Sequence, residues 1–221
     1  DTSGSFDYQT FLFPGTVAIS VLFTSIFSGI SLVWDREFGF LREMMVAPIK
    51  RSSIILGKCL GGAITATAQG AVMILLGGFV GVPMSVTLVL ELLAIIFLVS
   101  FAITALGLMM AGRIKQVQSA MPIIQVLITP MMFLSGAMYP IGNLPTWLHF
   151  LTRINPLTYA VQPMREAVFR HLDVDPSIAA TFNPGVTWNG WVVPIWLQLL
   201  IIGVMAIFML TITIIRFQKI D

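Results

Sequence analysis

Residues 86–111 read VTLVLELLAIIFLVSFAITALGLMMA, and the stretch holds one charge, Glu91, close to its start. At about 1.5 Å per residue, a helix of this length outruns the roughly 30 Å of hydrocarbon in a bilayer, which needs about 20 apolar residues to cross. The segment is read as a membrane-spanning helix. Comparable runs flank it on both sides, at about 11–34, 54–80, 120–139 and 191–215. The expected fold is all-α, a polytopic membrane helix bundle with five spans in one transmembrane domain covering 1–221.

Composition supports this. The chain has 221 residues, 57% hydrophobic and 10% charged, against roughly 25% charged in ordinary soluble domains. A soluble chain this short has too high a surface-to-volume ratio to hide so much apolar surface. The net charge of +2 comes without a long basic run, so nucleic acid is not an expected partner. The single cysteine, Cys59, excludes an intrachain disulfide and any Cys-based zinc site, and His149 and His171 lack a metal-ligand spacing.

Lys and Arg set the orientation. Arg36, Arg42, Lys50, Arg51, Lys58, Arg113, Lys115, Arg216 and Lys219 fall on one side of the five spans, and Arg153, Arg165 and Arg170 on the other. The first side is expected to be cytoplasmic, which puts the chain start and the long 140–190 connection outside. An outside start without a signal peptide suggests a further upstream span, six in the intact protein.

The connection 35–48 reads DREFGFLREMMVAP. Phe38, Leu41 and Met45 recur at helical spacing, as do Phe40 and Met44, and Arg36, Glu37, Arg42 and Glu43 interrupt them. That pattern suits a short helix on the membrane surface, capped by Asp35 and ended before Pro48. It fits an interfacial connector that binds no partner, which periodicity alone favours, and also a handle for a soluble partner.

Two blocks carry a resemblance. The run Arg36-Glu37-x-Gly39-x-Leu41, then Ala47-Pro48-Ile49 and Gly57-Lys58, forms the first. The second is Ser135-Gly136-Ala137-Met138-Tyr139-Pro140, then Leu144-Pro145, Asn155-Pro156-Leu157-Thr158-Tyr159 and Arg165. In this order, on opposite sides of the membrane, they resemble the type-2 ABC transporter permeases, in particular the drug-resistance and nodulation-type exporters. The resemblance implies that 35–48 is a coupling helix docking on a separate ATP-binding subunit. Glu37, Arg42 and Glu43 would make polar contacts there and Phe38, Phe40 and Leu41 would pack, with Arg36, Gly39 and Pro48 completing the segment. It also implies two ATP-binding subunits per complex, a second permease copy, export of a hydrophobic or amphipathic substrate, and ATP and Mg bound in the partner subunit. Two short outer-face helices within 142–172 would dip back into the outer leaflet and close the exit, making Tyr139, Pro140, Pro156, Tyr159 and Arg165 candidates for a path or gate.

Gly57-Lys58 does not form a phosphate-binding loop, because Ser52 and Cys59 stand where Gly and Ser or Thr are required. No cofactor is expected on this chain. Lys58 is expected to snorkel to the interface. Glu91 suits either an interfacial position or the transport path. Gln69 and Gln125 are expected to hydrogen-bond between helices, Gly57–Gly61 and Gly77–Gly81 to allow close packing, and Pro122 and Pro130 to kink the fourth span. Trp147 and Tyr159 would anchor the outer helices. An ion-gradient-driven transporter, a membrane-embedded enzyme and a non-transporting scaffold are the rival readings.

Overall fold

The computed structural model describes residues 8–82, 84–138, 146–171, 185–188 and 191–218. Among them the helices are α1 (Tyr8–Glu37), α2 (Phe40–Val46), α3 (Arg51–Gly77), α4 (Val86–Ala111), α5 (Val117–Leu134), α6 (Thr146–Ile154), α7 (Thr158–His171) and α8 (Ile195–Gln218). Five of them, α1, α3, α4, α5 and α8, are long and apolar enough to cross a membrane. The molecule is a polytopic helical bundle.

α4 is the hub. It packs against α1, α3 and α8, and it also meets α7. The α1–α4 crossing is close because two glycines face each other there. A Cβ on Gly29 would sit 2.6 Å from the Thr104 carbonyl oxygen and 2.8 Å from the Gly107 Cα, and one on Gly107 would sit 2.9 Å from the Ile26 carbonyl oxygen. The Gly57–Gly61 spacing proposed from the sequence does something else. Both residues face open space on α3, while Gly77 receives the Phe13 ring and Gly81 makes a left-handed turn at φ 82°. Small residues permit contact only where a neighbouring helix arrives, and a spacing motif does not say where that is.

The outer helix faces are apolar and open. Leu60, Ile64, Val72 and Leu75 on α3, Val126 on α5, and Leu200, Val204 and Ile207 on α8 are all exposed, as lipid-facing positions should be. α5 buries only the narrow stripe Ala120, Ile124, Ile128 and Met131. It packs mainly on α1 and α6. The helix continues through Pro122 and Pro130, both exposed.

Helix ends confirm the alternation of the spans. Arg36 at the end of α1 reaches the carbonyls that close α4, and Arg51 at the start of α3 donates to the Gln218 carbonyl at the end of α8. One end of the bundle therefore collects the described residues among the basic side chains that charge counting groups together. The fourth span is displaced from the expected 120–139 to Val117–Leu134, because the chain turns at Gly136, φ 76°. The last begins at Ile195, not at residue 191. Trp191–Val192 instead pairs antiparallel with Thr187–Trp188 as strands β2 and β1 of a two-residue ribbon, and helix starts after Pro194. The sequence signal for this hairpin is Asn189-Gly190 between two tryptophans.

Candidate functional site

At the basic end, α1 does not stop at Trp34. It continues through Asp35, Arg36 and Glu37, and Gly39 breaks it by adopting φ 85°, a conformation glycine takes without steric cost. α2 then starts at Phe40. The expectation of one helix capped by Asp35 is thus corrected: Gly39 stands at the N-cap, with no side-chain cap. Asp35 instead forms an ion pair with Lys58 across α1 and α3, and Lys58 Nζ also donates to Ser31 Oγ at 3.2 Å. Lys58 is held by a partner inside the bundle end; the snorkelling expectation misses this.

α2 is anchored on one side and open on the other. Leu41 is buried, and Met44 and Met45 pack against the core. Phe40, Glu43 and Val46, at i, i+3 and i+6, point away from it, flanked by Phe38, Arg42 and Pro48. Phe38 is 71% exposed and Val46 86%, which marks this as an uncovered apolar face. Of the segment's sequence-predicted contact residues, Leu41 is the anchor, Gly39 the break, and Phe38, Phe40, Arg42, Glu43 and Pro48 are available to a partner.

Arg36 and Glu37 are placed differently. Arg36 Nη1 donates to the Ile114 carbonyl at 2.7 Å and to the Ala111 carbonyl at 3.4 Å. The Glu37 carboxylate accepts from the Val117 backbone N–H at 2.6 Å. Val117 opens α5, whose N-cap residue Gln116 makes no side-chain cap of its own. Glu37 therefore caps α5 from another helix, satisfying one of its free N–H groups and meeting its positive dipole end.

At the opposite end, Ser135, Asn155, Thr158 and Arg165 of the second sequence block form one hydrogen-bonded unit that closes the C-terminus of α5. The last carbonyls of a helix lack intrahelical partners, and here side chains supply them. Asn155 Nδ2 donates to the Met131 carbonyl at 2.8 Å, Ser135 Oγ to that of Met132 at 2.7 Å, and Thr158 Oγ1 to that of Leu134 at 3.2 Å. Arg165 Nη2 donates to the Gly136 carbonyl at 2.9 Å, and its guanidinium lies 4.2 Å from the centre of the Phe11 ring. Asn155 Oδ1 also accepts from the Leu157 N–H at 3.0 Å, which sets the turn into α7.

Tyr159 is fully buried. It donates to the Arg153 carbonyl at 2.7 Å and takes a hydrogen bond from Trp188; burial raises its pKa. Burial also pushes Arg165 down to about 10, so its guanidinium stays charged at neutral pH. These two candidate gate residues sit in the packed interior and act as braces. Tyr139 and Pro140 lie outside the described residues, as do the side chains of Trp147 and His149. Glu91 is partly exposed and lies 3.5 Å from Arg170, which in turn lies 3.9 Å from Glu166. Burial raises the Glu166 carboxyl, Arg170 draws it back down, and Glu91 adds to the rise. Within the spans, Gln69 bridges helices by accepting from Thr24, whereas Gln125 donates to Thr129 on its own helix. Pro156 lines an apolar cavity of about 330 Å³ with Leu106, Val126, Met131, Leu151 and Met205, between α4, α5, α6 and α8.

Five apolar spans, a short surface helix at the basic end and a braced loop structure at the other define a polytopic helical membrane protein. The chain belongs to the ABC-2 type transporter family, whose model matches residues 1–169. It is 31% identical over 162 residues to the transport permease named ycf38 of Cyanophora paradoxa, covering 72% of this chain and 56% of that protein. It is 26% identical over 171 residues to the multidrug ABC transporter permease YbhR of Escherichia coli K12, covering 76% and 46%. With Nodulation protein J of Rhizobium leguminosarum bv. trifolii it shares 27% over 174 residues, covering 78% and 66%. The chain spans about half the length of the first of these relatives.

Proposed function

We propose that this chain is the membrane-spanning permease of an ATP-driven exporter in the cytoplasmic membrane, and that the exposed face of α2 docks on a separate ATP-binding subunit. The observation that carries the reading is the geometry of α2: a short helix held to the bundle by Leu41 that offers Phe38, Phe40, Glu43 and Val46 outward at the basic end. Aromatic anchors ringed by charges are what a rigid docking surface requires. ATP and Mg belong to the partner. Two permeases and two ATP-binding subunits make the complex, and nucleotide shifts the permease pair between inward and outward states by binding one state more strongly. The cargo is hydrophobic or amphipathic, as the names of relatives and the apolar cavity beside Pro156 both suit. Near the other end, α7, buried along almost its whole length, and α6 close the exit.

The test is co-purification of the full-length permease with its ATP-binding subunit in nanodiscs. Phe40→Ser with Val46→Ser should lose the subunit while insertion and monodispersity stay normal. Retained association would remove α2 as the docking surface.

A further inference from the structure

We infer that Arg36 and Glu37 are positioning residues that link the docking helix to α5, and that they do not contact the ATP-binding subunit. The inference rests on the proposed coupling role of α2. Both side chains turn from the end of α1 toward residues far along the chain: Arg36 to the Ala111 and Ile114 carbonyls, Glu37 to the Val117 N–H. They bracket the α4–α5 connection, one holding the end of α4 and the other the start of α5. α2 leaves α1 two residues after Glu37, through Gly39. A displacement of α2 therefore reaches Glu37 across only two residues, Phe38 and Gly39.

α5 is the span best placed to answer. Its buried stripe is one residue wide, and its packing is confined mainly to α1 and α6. A helix held by so little apolar contact is positioned to a large degree by its ends. Glu37 fixes one end; Asn155, Thr158 and Arg165 fix the region of the other. α5 also supplies Val126, Leu127, Pro130, Met131 and Leu134 to the wall of the apolar cavity. A shift of α5 would change that cavity's shape. Arg36 and Glu37 thus form the transmission between the docking face and a cavity-lining helix.

The test uses the full-length permease assembled with its ATP-binding subunits, in a Cys59→Ala background with Met138→Cys as reporter just beyond the far end of α5. The labelling rate by a water-soluble maleimide is compared with and without trapped nucleotide. Glu37→Ala should abolish the nucleotide-dependent change at position 138 while subunit yield stays at the wild-type value and the melting temperature falls by only the few degrees that loss of one exposed helix cap costs. Glu37→Gln should keep the change, because its amide oxygen still accepts from the Val117 N–H. An undiminished change in Glu37→Ala, or none in the wild type, would overturn the transmission. Loss of the subunit in Glu37→Ala would overturn it as well, since Glu37 would then be a docking residue. A wild type that never binds the subunit would instead overturn the coupling reading on which the transmission depends.

Discussion

Asn155→Ala should be among the more damaging single substitutions at the end of the bundle that carries α7. Asn155 is 6% exposed and makes two bonds, donating to the Met131 carbonyl at 2.8 Å and accepting from the Leu157 N–H at 3.0 Å. Alanine leaves both backbone groups buried without their partner. An unsatisfied buried group costs about 1–3 kcal/mol, and polar contacts in membrane bundles fall toward the lower end of such ranges. The sum is about 2–4 kcal/mol, which at roughly 2–4 °C per kcal/mol for a chain of this size lowers the melting temperature by about 4–16 °C. The assay is the fraction of monodisperse protein on size exclusion after stepwise heating. Asn155→Asp sharpens it. An ionised carboxylate can accept from Leu157 but faces the Met131 carbonyl with no proton, so its folded-state pKa should be raised. The penalty should be fully present at high pH and relieved as pH falls through that pKa, when the protonated carboxyl can donate. An alanine variant that melts with the wild type, or an aspartate variant indifferent to pH, would refute the capping argument.

Gly107→Leu should disrupt the α1–α4 crossing, because its Cβ has nowhere to go between the Ile26 carbonyl and Gly29. Overpacking of this kind costs about 1–3 kcal/mol or more, and yield of folded protein on size exclusion measures it; Gly57→Leu, facing open space, is the matched control. Glu91→Gln should change melting by less than about 1 kcal/mol, since its pairing with Arg170 is partly solvent-exposed. Transport by the reconstituted complex should also persist. Loss of transport with an intact fold would favour an ion-coupled path through Glu91.

The five spans were legible because length and apolarity decide them, and both are local properties. Their ends were less so. Trp191 and Val192 read as part of the last span by hydropathy, but they pair with Thr187 and Trp188, a contact flagged only by Asn189-Gly190. The amphipathic spacing of α2 was correct from Phe40 onward. The same spacing also includes residues 35–39, because a periodic pattern does not show that the backbone breaks at Gly39 in a left-handed conformation. The roles of Arg36 and Glu37 were hidden for a different reason. Their partners lie at 111–117, and no pattern in 35–48 encodes which distant backbone groups the fold delivers. The same holds for Arg165 and Tyr159: the motif located them, but only the packed structure gives their bonds to Gly136 and Arg153.

The most direct test of docking through α2 is association of the full-length permease with its ATP-binding subunit, measured for the wild type, Phe40→Ser/Val46→Ser and Glu43→Arg. Truncating central anchors at an interface costs about 2 kcal/mol or more, roughly thirtyfold in affinity. Wild-type binding weakened at least that far in the double variant, with folding and insertion unchanged, is the expected result. Equal affinity across all three proteins would contradict the account.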